Sequence, residues 1–171
     1  MATLEKSDRG GVLEKIISGG QTGVDRGALD AALDAGFPCG GSCPRGRRAE
    51  DGAIPDRYPL TELGTTNYRA RTKRNVMDAD GTLIVFFGEL TGGTRETLRI
   101  AEEVGVPVLT IDAHVKAAEA AAVEAAAFVE HNAIAVLNVA GPRESSRRGA
   151  ADYARHLVSA MLLRLRSRSH R

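Results

Sequence analysis

The chain has 171 residues, a formal net charge of +1, 43% apolar residues and 26% charged ones, which fits a single soluble globular domain with room for a proper core. So even a charge balance argues against nucleic acid or a membrane surface as partner, and no apolar stretch is long enough to span a bilayer or form a secretory leader. Only Lys6, Lys15, Lys73 and Lys116 of the 23 cations are lysine; the arginine fork suits phosphate and carboxylate, although GC-rich coding would give the same bias.

Residues 1–12 are polar and glycine-punctuated, as expected of a flexible arm, and residues 13–165 form the folded domain. Residues 13–18 predict a first strand. Gly19-Gly20-Gln21-Thr22-Gly23-Val24-Asp25-Arg26-Gly27 follows it, then a helix over 25–35 with Asp25 as its cap and Leu29 and Leu33 facing inward together. Gly36 ends that helix. Strand, glycine loop and helix in that order make an anion-binding corner: glycine lets the backbone come close, and the first helical amides lack partners at the positive end of the dipole. No Gly-Lys-Ser/Thr follows, which excludes a P-loop, and the glycine spacing is not Gly-x-Gly-x-x-Gly. A tight turn with no ligand is the alternative.

Residues 37–63 form a long excursion, with short strands predicted near 37–40 and 58–63; such a length inside a domain signals function or disorder. It carries Arg45, Arg47 and Arg48, and two cysteines, Cys39 and Cys43, that read as small buried thiols in a reducing, cytoplasmic setting. A helix over 67–79 places Arg71 and Asn75 on one face. The unbroken apolar run 83–87 is a buried strand, 94–104 a helix closed by Gly105, and 107–111 the next strand, completing a βαβ unit. An alanine-rich helix (115–130), a strand (133–139), a loop with Gly141, Arg143, Ser145, Arg147 and Arg148, and a helix over 150–164 follow. Residues 166–171 read as a solvated basic tail.

Alternating strands and helices predict one α/β domain, a mostly parallel sheet with helices on both faces. The loops at 19–27, 92–94 and 141–143 share the order strand, glycine, helix and so emerge on one rim, where ligands of such sheets bind. His114, His131, His156 and His170 are scattered without metal-ligand spacing, so no metal site is expected.

Ser18-Gly19-Gly20-Gln21-Thr22-Gly23-Val24-Asp25-Arg26-Gly27-Ala28-Leu29-Asp30 resembles the signature of the molybdenum carrier family. So do Cys43-Pro44-Arg45-Gly46-Arg47-Arg48-Ala49-Glu50-Asp51-Gly52, Tyr58-Pro59-Leu60, Arg71-Thr72 with Asn75-Val76, Asp80-Gly81-Thr82-Leu83-Ile84, Gly92-Gly93-Thr94 and Leu137-Asn138-Val139-Ala140-Gly141-Pro142-Arg143-Glu144-Ser145. That family resembles a branch of the superfamily holding the lysine-decarboxylase-like nucleotide hydrolases and nucleotide-sensing (SLOG) domains. The resemblance implies a Rossmann-like fold, homo-oligomers, and a pocket for a phosphorylated heterocycle. Ser42 stands where the family leads one to expect an aromatic residue. Thr91-Gly92-Gly93-Thr94-Arg95-Glu96 lacks the proline and one glycine of the hydrolase motif.

The leading expectation is a carrier of a phosphate-bearing heterocycle, with molybdenum cofactor as cargo and a molybdoenzyme as recipient. The amides of Gly19, Gly20, Gln21, Thr22 and Gly23 would hold the phosphate, with Gly92, Gly93 and Thr94 at a second helix start. Arg143, with Arg45, Arg47 or Arg48, would neutralise charge. Asn138, Gly141 and Ser145 would meet the polar edge of the ring. A nucleotide N-glycosidic-bond hydrolase is the alternative, with Glu50, Asp51, Glu144 and above all Glu96 as candidate catalytic carboxylates; a nucleotide-sensing module is the third.

Overall fold

The computed structural model describes residues 13–169; the arm at 1–12 and the last two residues, His170 among them, lie outside this range. The chain runs β1 (Lys15–Ile17), α1 (Val24–Asp34), β2 (Cys39–Gly40), β3 (Ser42–Cys43), β4 (Arg48–Ala49), β5 (Gly52–Ala53), β6 (Thr61–Glu62), α2 (Tyr68–Asp78), β7 (Gly81–Phe86), α3 (Gly92–Val104), β8 (Val108–Asp112), α4 (Ala118–His131), β9 (Val136–Ala140) and α5 (Ala150–Ser169). Five strands form one parallel sheet in the order β2-β1-β9-β7-β8. This is the Rossmann-like α/β architecture expected from the alternating pattern.

β7 is an interior strand between β9 and β8, and Gly81 to Val85 are all buried, as its apolar run requires. Helices α1, α4 and α5 share one core with the sheet, built from Val24, Ala28, Ala32, Leu83, Ile111, Ala122, Ala126, Leu137, Leu157 and Met161. Alanines on α1, α4 and α5 let these helices pack closely, and Gly27 carries this furthest: a Cβ there would overlap the Ala151 carbonyl of α5. Helices α2 and α3 pack on one another and cover a second cluster of Val76, Ile100 and Ala101, with Val106 and Val108 at its edge.

The long excursion is ordered. It folds as β3 paired with β6, and as a hairpin of β4 and β5, around a small cluster of Leu29, Cys43, Ala49, Ile54 and Tyr58. The strands β3, β4 and β5 have only two residues each, too short for a periodic signal to reveal. Cys43 is buried and Cys39 half-buried, both as free thiols, and burial raises the pKa of each.

Three local expectations are corrected. Leu29 is fully buried but Leu33 is 37% exposed, so they do not face inward together. Asp25 is inside the first turn of α1 rather than at its cap, which is Gly23. The last helix runs on to Ser169, so residues 166–169, although exposed, are helical.

Candidate functional site

The loops following β1, β7 and β9 meet at the carboxyl ends of three adjacent strands, as parallel strands must bring them. Between them opens a cavity of about 490 Å³, in the range of small-molecule sites. Its walls hold seven of the sequence-predicted residues: Gln21, Gly92, Gly93, Thr94, Gly141, Arg143 and Ser145. Gly19 and Asn138 line a polar chamber of about 50 Å³ next door, which shares Gly141 with the larger space. The Asn138 amide there donates to Thr82 Oγ1 at 3.4 Å across paired strands.

The glycine loop after β1 is built differently from the expected phosphate cradle. Three of its amides are already in use: Gly20 donates to Ser18 Oγ at 3.3 Å, Gln21 to Asp25 Oδ2 at 3.2 Å and Thr22 to Gln21 Oε1 at 3.1 Å. Gly23 has φ +82°, and a Cβ on it would run into the carbonyl of Pro142. Gly20 instead leaves room for the side chains of Leu60 and Ile54, which a Cβ on it would strike. These glycines serve close packing within the protein. Asp25 is buried, and desolvation lifts its pKa to about 6 against the lowering pull of Arg71 and of the loop amides.

The helix start with free donors belongs to α3. Thr91, its cap, makes no side-chain hydrogen bond, and the amides of Gly92, Gly93 and Thr94 have no partner among the described residues. The first turn of a helix supplies no internal acceptor for them. A Cβ on Gly93 would meet nothing within 4 Å, so packing does not demand glycine there. Gln21, 6% exposed, holds Oε1 against the amides of Thr22 and Glu50 (2.9 Å), while its Nε2 is the one buried side-chain nitrogen or oxygen without a partner among the described residues. An orphaned buried donor of this kind marks a place for a ligand or a water.

Phe86 and Phe87 supply apolar wall. Arg147 lies over the Phe87 ring at 5.8 Å and donates to the Phe87 carbonyl at 3.0 Å, and Tyr153 meets that ring edge-on. The sequence pattern hid both phenylalanines because the run 83–87 reads as a buried strand throughout. Ser42, by contrast, is buried away from this cavity, its backbone amide and carbonyl held by the Asn75 side chain at 2.7 and 3.0 Å.

The β4–β5 hairpin straps the site. The Glu50 carboxylate accepts from Thr22 Oγ1, from Ser145 Oγ at 2.5 Å and from the Ser145 amide at 3.3 Å. These hydrogen bonds, led by the Ser145 hydroxyl, hold its pKa below the ordinary value. Beside it Asp51 pairs with Arg26, with Nη2 to Oδ1 at 2.7 Å.

Other expected residues lie elsewhere. The guanidinium of Arg47 is spent on the carbonyls of Ile54 (2.9 Å), Pro55 (2.9 Å), Tyr58 (2.8 Å) and Leu60 (3.4 Å), so it ties the excursion together and does not line the cavity. Arg45 is exposed on the same segment, also outside the lining. Glu96 sits on α3 between Arg99 and Arg69, which pull its pKa down to about 2, and is not among the residues lining the cavity. Glu144 accepts from the amides of Gly149 and Ala151 at the start of α5. Glu89 is the carboxylate among the lining residues.

The model of the "Circularly permutated YpsA SLOG family" matches residues 16–162. A crystal structure from Syntrophus aciditrophicus SB, described as a "Putative molybdenum carrier protein", matches at 42% sequence identity with a TM-score of 0.86, over 88% of this chain and 96% of that one. No curated protein matches. The blocks at 18–30 and 43–52 therefore carry a true relationship, and the chain belongs to the circularly permutated YpsA SLOG family.

Proposed function

We propose that this protein is a carrier that holds a phosphate-bearing heterocycle in the cavity between the β1, β7 and β9 loops, and that molybdenum cofactor is its cargo. The observation that carries the reading is the unpartnered first turn of α3 opening on a cavity that also holds the orphaned Gln21 Nε2. Backbone donors at the positive end of a helix suit a phosphate. Arg143 would add charge-assisted bonds, Phe87 a flat face for the ring, and Gln21 Nε2 a donor to the ring's polar edge. A cofactor that brings its own dithiolene ligands to molybdenum needs donors for phosphate and ring, and this donor set fits that need. The related "Putative molybdenum carrier protein" supports the choice of cargo.

The hydrolase reading is weaker. It asks for a carboxylate beside the sugar; Glu50, Asp51, Glu96 and Glu144 are each committed to protein partners, which leaves Glu89 in the cavity lining as its one candidate among the described residues.

Thermal unfolding with molybdenum cofactor, molybdate, AMP and ADP-ribose tests the proposal. A ligand at a hundred times its dissociation constant stabilises by about 2.7 kcal/mol, several degrees for a domain of this size. A shift with the cofactor supports the carrier. A shift with the nucleotides alone overturns the cargo.

A further inference from the structure

The β4–β5 hairpin is fixed at its base and lightly held at its tip. At the base, the Ile54 amide donates to the Arg47 carbonyl at 2.6 Å, the Arg47 guanidinium gathers four carbonyls, and Ala49 and Ile54 are buried. From Glu50 to Ala53 every residue is exposed. The tip is held by polar contacts: Glu50 reaches Thr22 and Ser145, and Asp51 pairs with Arg26. Beside them the Arg48 guanidinium lies 5.4 Å from the centre of the Tyr68 ring, which Arg143 (5.1 Å) and Arg71 (5.6 Å) also approach. Exposed polar contacts are individually weak, so the tip can open while the base stays in place.

What the tip holds is the cavity wall. Gln21 and Ser145 line the cavity, whereas none of residues 48–53 does. Glu50 takes up the Ser145 hydroxyl and amide, and its own amide donates to Gln21 Oε1 at 2.9 Å. The Thr22 amide donates to the same oxygen at 3.1 Å. Two N–H donors on Oε1 fix which way the Gln21 amide faces, because turning it over would set its NH2 group against both. That orientation leaves Nε2 buried with no acceptor among the described residues. An unmet buried donor destabilises the arrangement that imposes it, here the latched one.

We infer that the Glu50 hairpin is an autoinhibitory latch: closed, it occupies the Ser145 and Gln21 groups of the cavity wall, and it opens for a ligand to use them. This rests on the cavity reading above. Opening frees the Ser145 hydroxyl and amide and removes one of the two clamps on Gln21, whose Nε2 can then turn to an acceptor on the ligand. Latch and ligand compete for the same groups, so each weakens the other by the same factor.

Titration with molybdenum cofactor and hydrogen exchange at residues 48–53, on wild type, Glu50→Ala and Glu50→Gln, test it. Glu50→Ala should bind the cofactor at least about threefold more tightly, since apparent affinity scales with the open fraction. Glu50→Gln keeps an acceptor for Ser145 and should gain less, whereas the mere loss of a negative charge beside an anionic ligand would give both variants the same gain. In the wild type, the cofactor should speed exchange at the hairpin. Unchanged or weaker binding by Glu50→Ala, equal gains in the two variants, or slower hairpin exchange on loading overturns the latch while the cavity reading stands. Binding by Glu50→Ala but not by wild type supports both. Absence of binding by all three chains overturns both.

Discussion

The carboxylate of Asp25 accepts the amide of Gln21 at 3.2 Å, one helical turn back along the chain. With the bonds made by the Gly20 and Thr22 amides, it spends the donors of the glycine loop inside the protein, while the first amides of α3 have no partner among the described residues. The carboxylate is buried at the edge of the small polar chamber, with Arg71 and Arg26 as the cations that face it.

The Asp25 pKa of about 6 lies above its unfolded value of 3.8, mainly through desolvation. The native state therefore binds more protons than the unfolded one between these values. By linkage, stability falls as pH rises through this window, by about 2–3 kcal/mol in all. Glu50, Asp51, Glu96 and Asp112 have lowered pKa values and act in the opposite sense. The difference between wild type and Asp25→Asn isolates the term. Urea midpoints measured from pH 4 to 7 should show the wild type losing ground to the variant as pH rises; parallel curves would refute the assignment.

Gly93→Ala separates fold from function. The added methyl meets no protein atom, and alanine in a helix is better than glycine by about 0.4–1 kcal/mol. The variant should melt higher than wild type without ligand, yet bind the phosphate-bearing ligand at least about tenfold more weakly if the amides are the cradle. Unchanged affinity would place the phosphate elsewhere.

Gly27→Ala should do the reverse of a helix-propensity gain. Its methyl would strike the Ala151 carbonyl where α1 crosses α5, and overpacking of this kind costs about 1–3 kcal/mol. Chemical denaturation is the check, and a variant as stable as wild type would show that the two helices can move apart freely.

Glu50→Ala removes the strap between the β4–β5 hairpin, Thr22 and Ser145. The carboxylate is exposed, so its global effect should stay below about 1 kcal/mol. Its local effect should be larger. Hydrogen exchange at residues 20–24 and 143–147 is expected to speed up, since local opening has its own free energy. Protection equal to wild type in both loops would mean that the hairpin is held by its buried residues, Ala49 and Ile54, instead.

Glu96→Gln should leave ligand affinity unchanged. Its carboxylate neutralises Arg69 and Arg99 outside the cavity lining. Release of free base from a nucleotide by the wild type, lost in this variant, would restore the hydrolase.

Part of the cavity's lining was legible in the chain: Gln21, Gly92, Gly93, Thr94, Gly141, Arg143 and Ser145. The β7–α3–β8 unit was legible because Leu83 to Phe87 is uniformly apolar and Gly105 takes the left-handed cap, φ +81°. The convergence of three loops followed from parallel strands. Arg71 and Asn75 were legible as one face of α2, but their burial was not: helix α2 turns a polar face inward, with Arg71, Asn75 and Val76 as its buried residues. Arg47 was misplaced because nothing in a loop sequence says which carbonyls a guanidinium will find.

The sequence by itself determined the alternation of strands and helices, the rim on which the glycine loops gather, and the family blocks at 18–30 and 43–52. Periodicity and short motifs are local properties, written in consecutive residues. Tertiary structure decided which glycine loop has free donors, because that depends on where hydrogen bonds are spent: Asp25 consumes an amide before α1, while Thr91 caps nothing before α3. It also decided that Arg48, Arg71 and Arg143 meet on Tyr68, a contact between segments as many as 95 residues apart that no local pattern encodes.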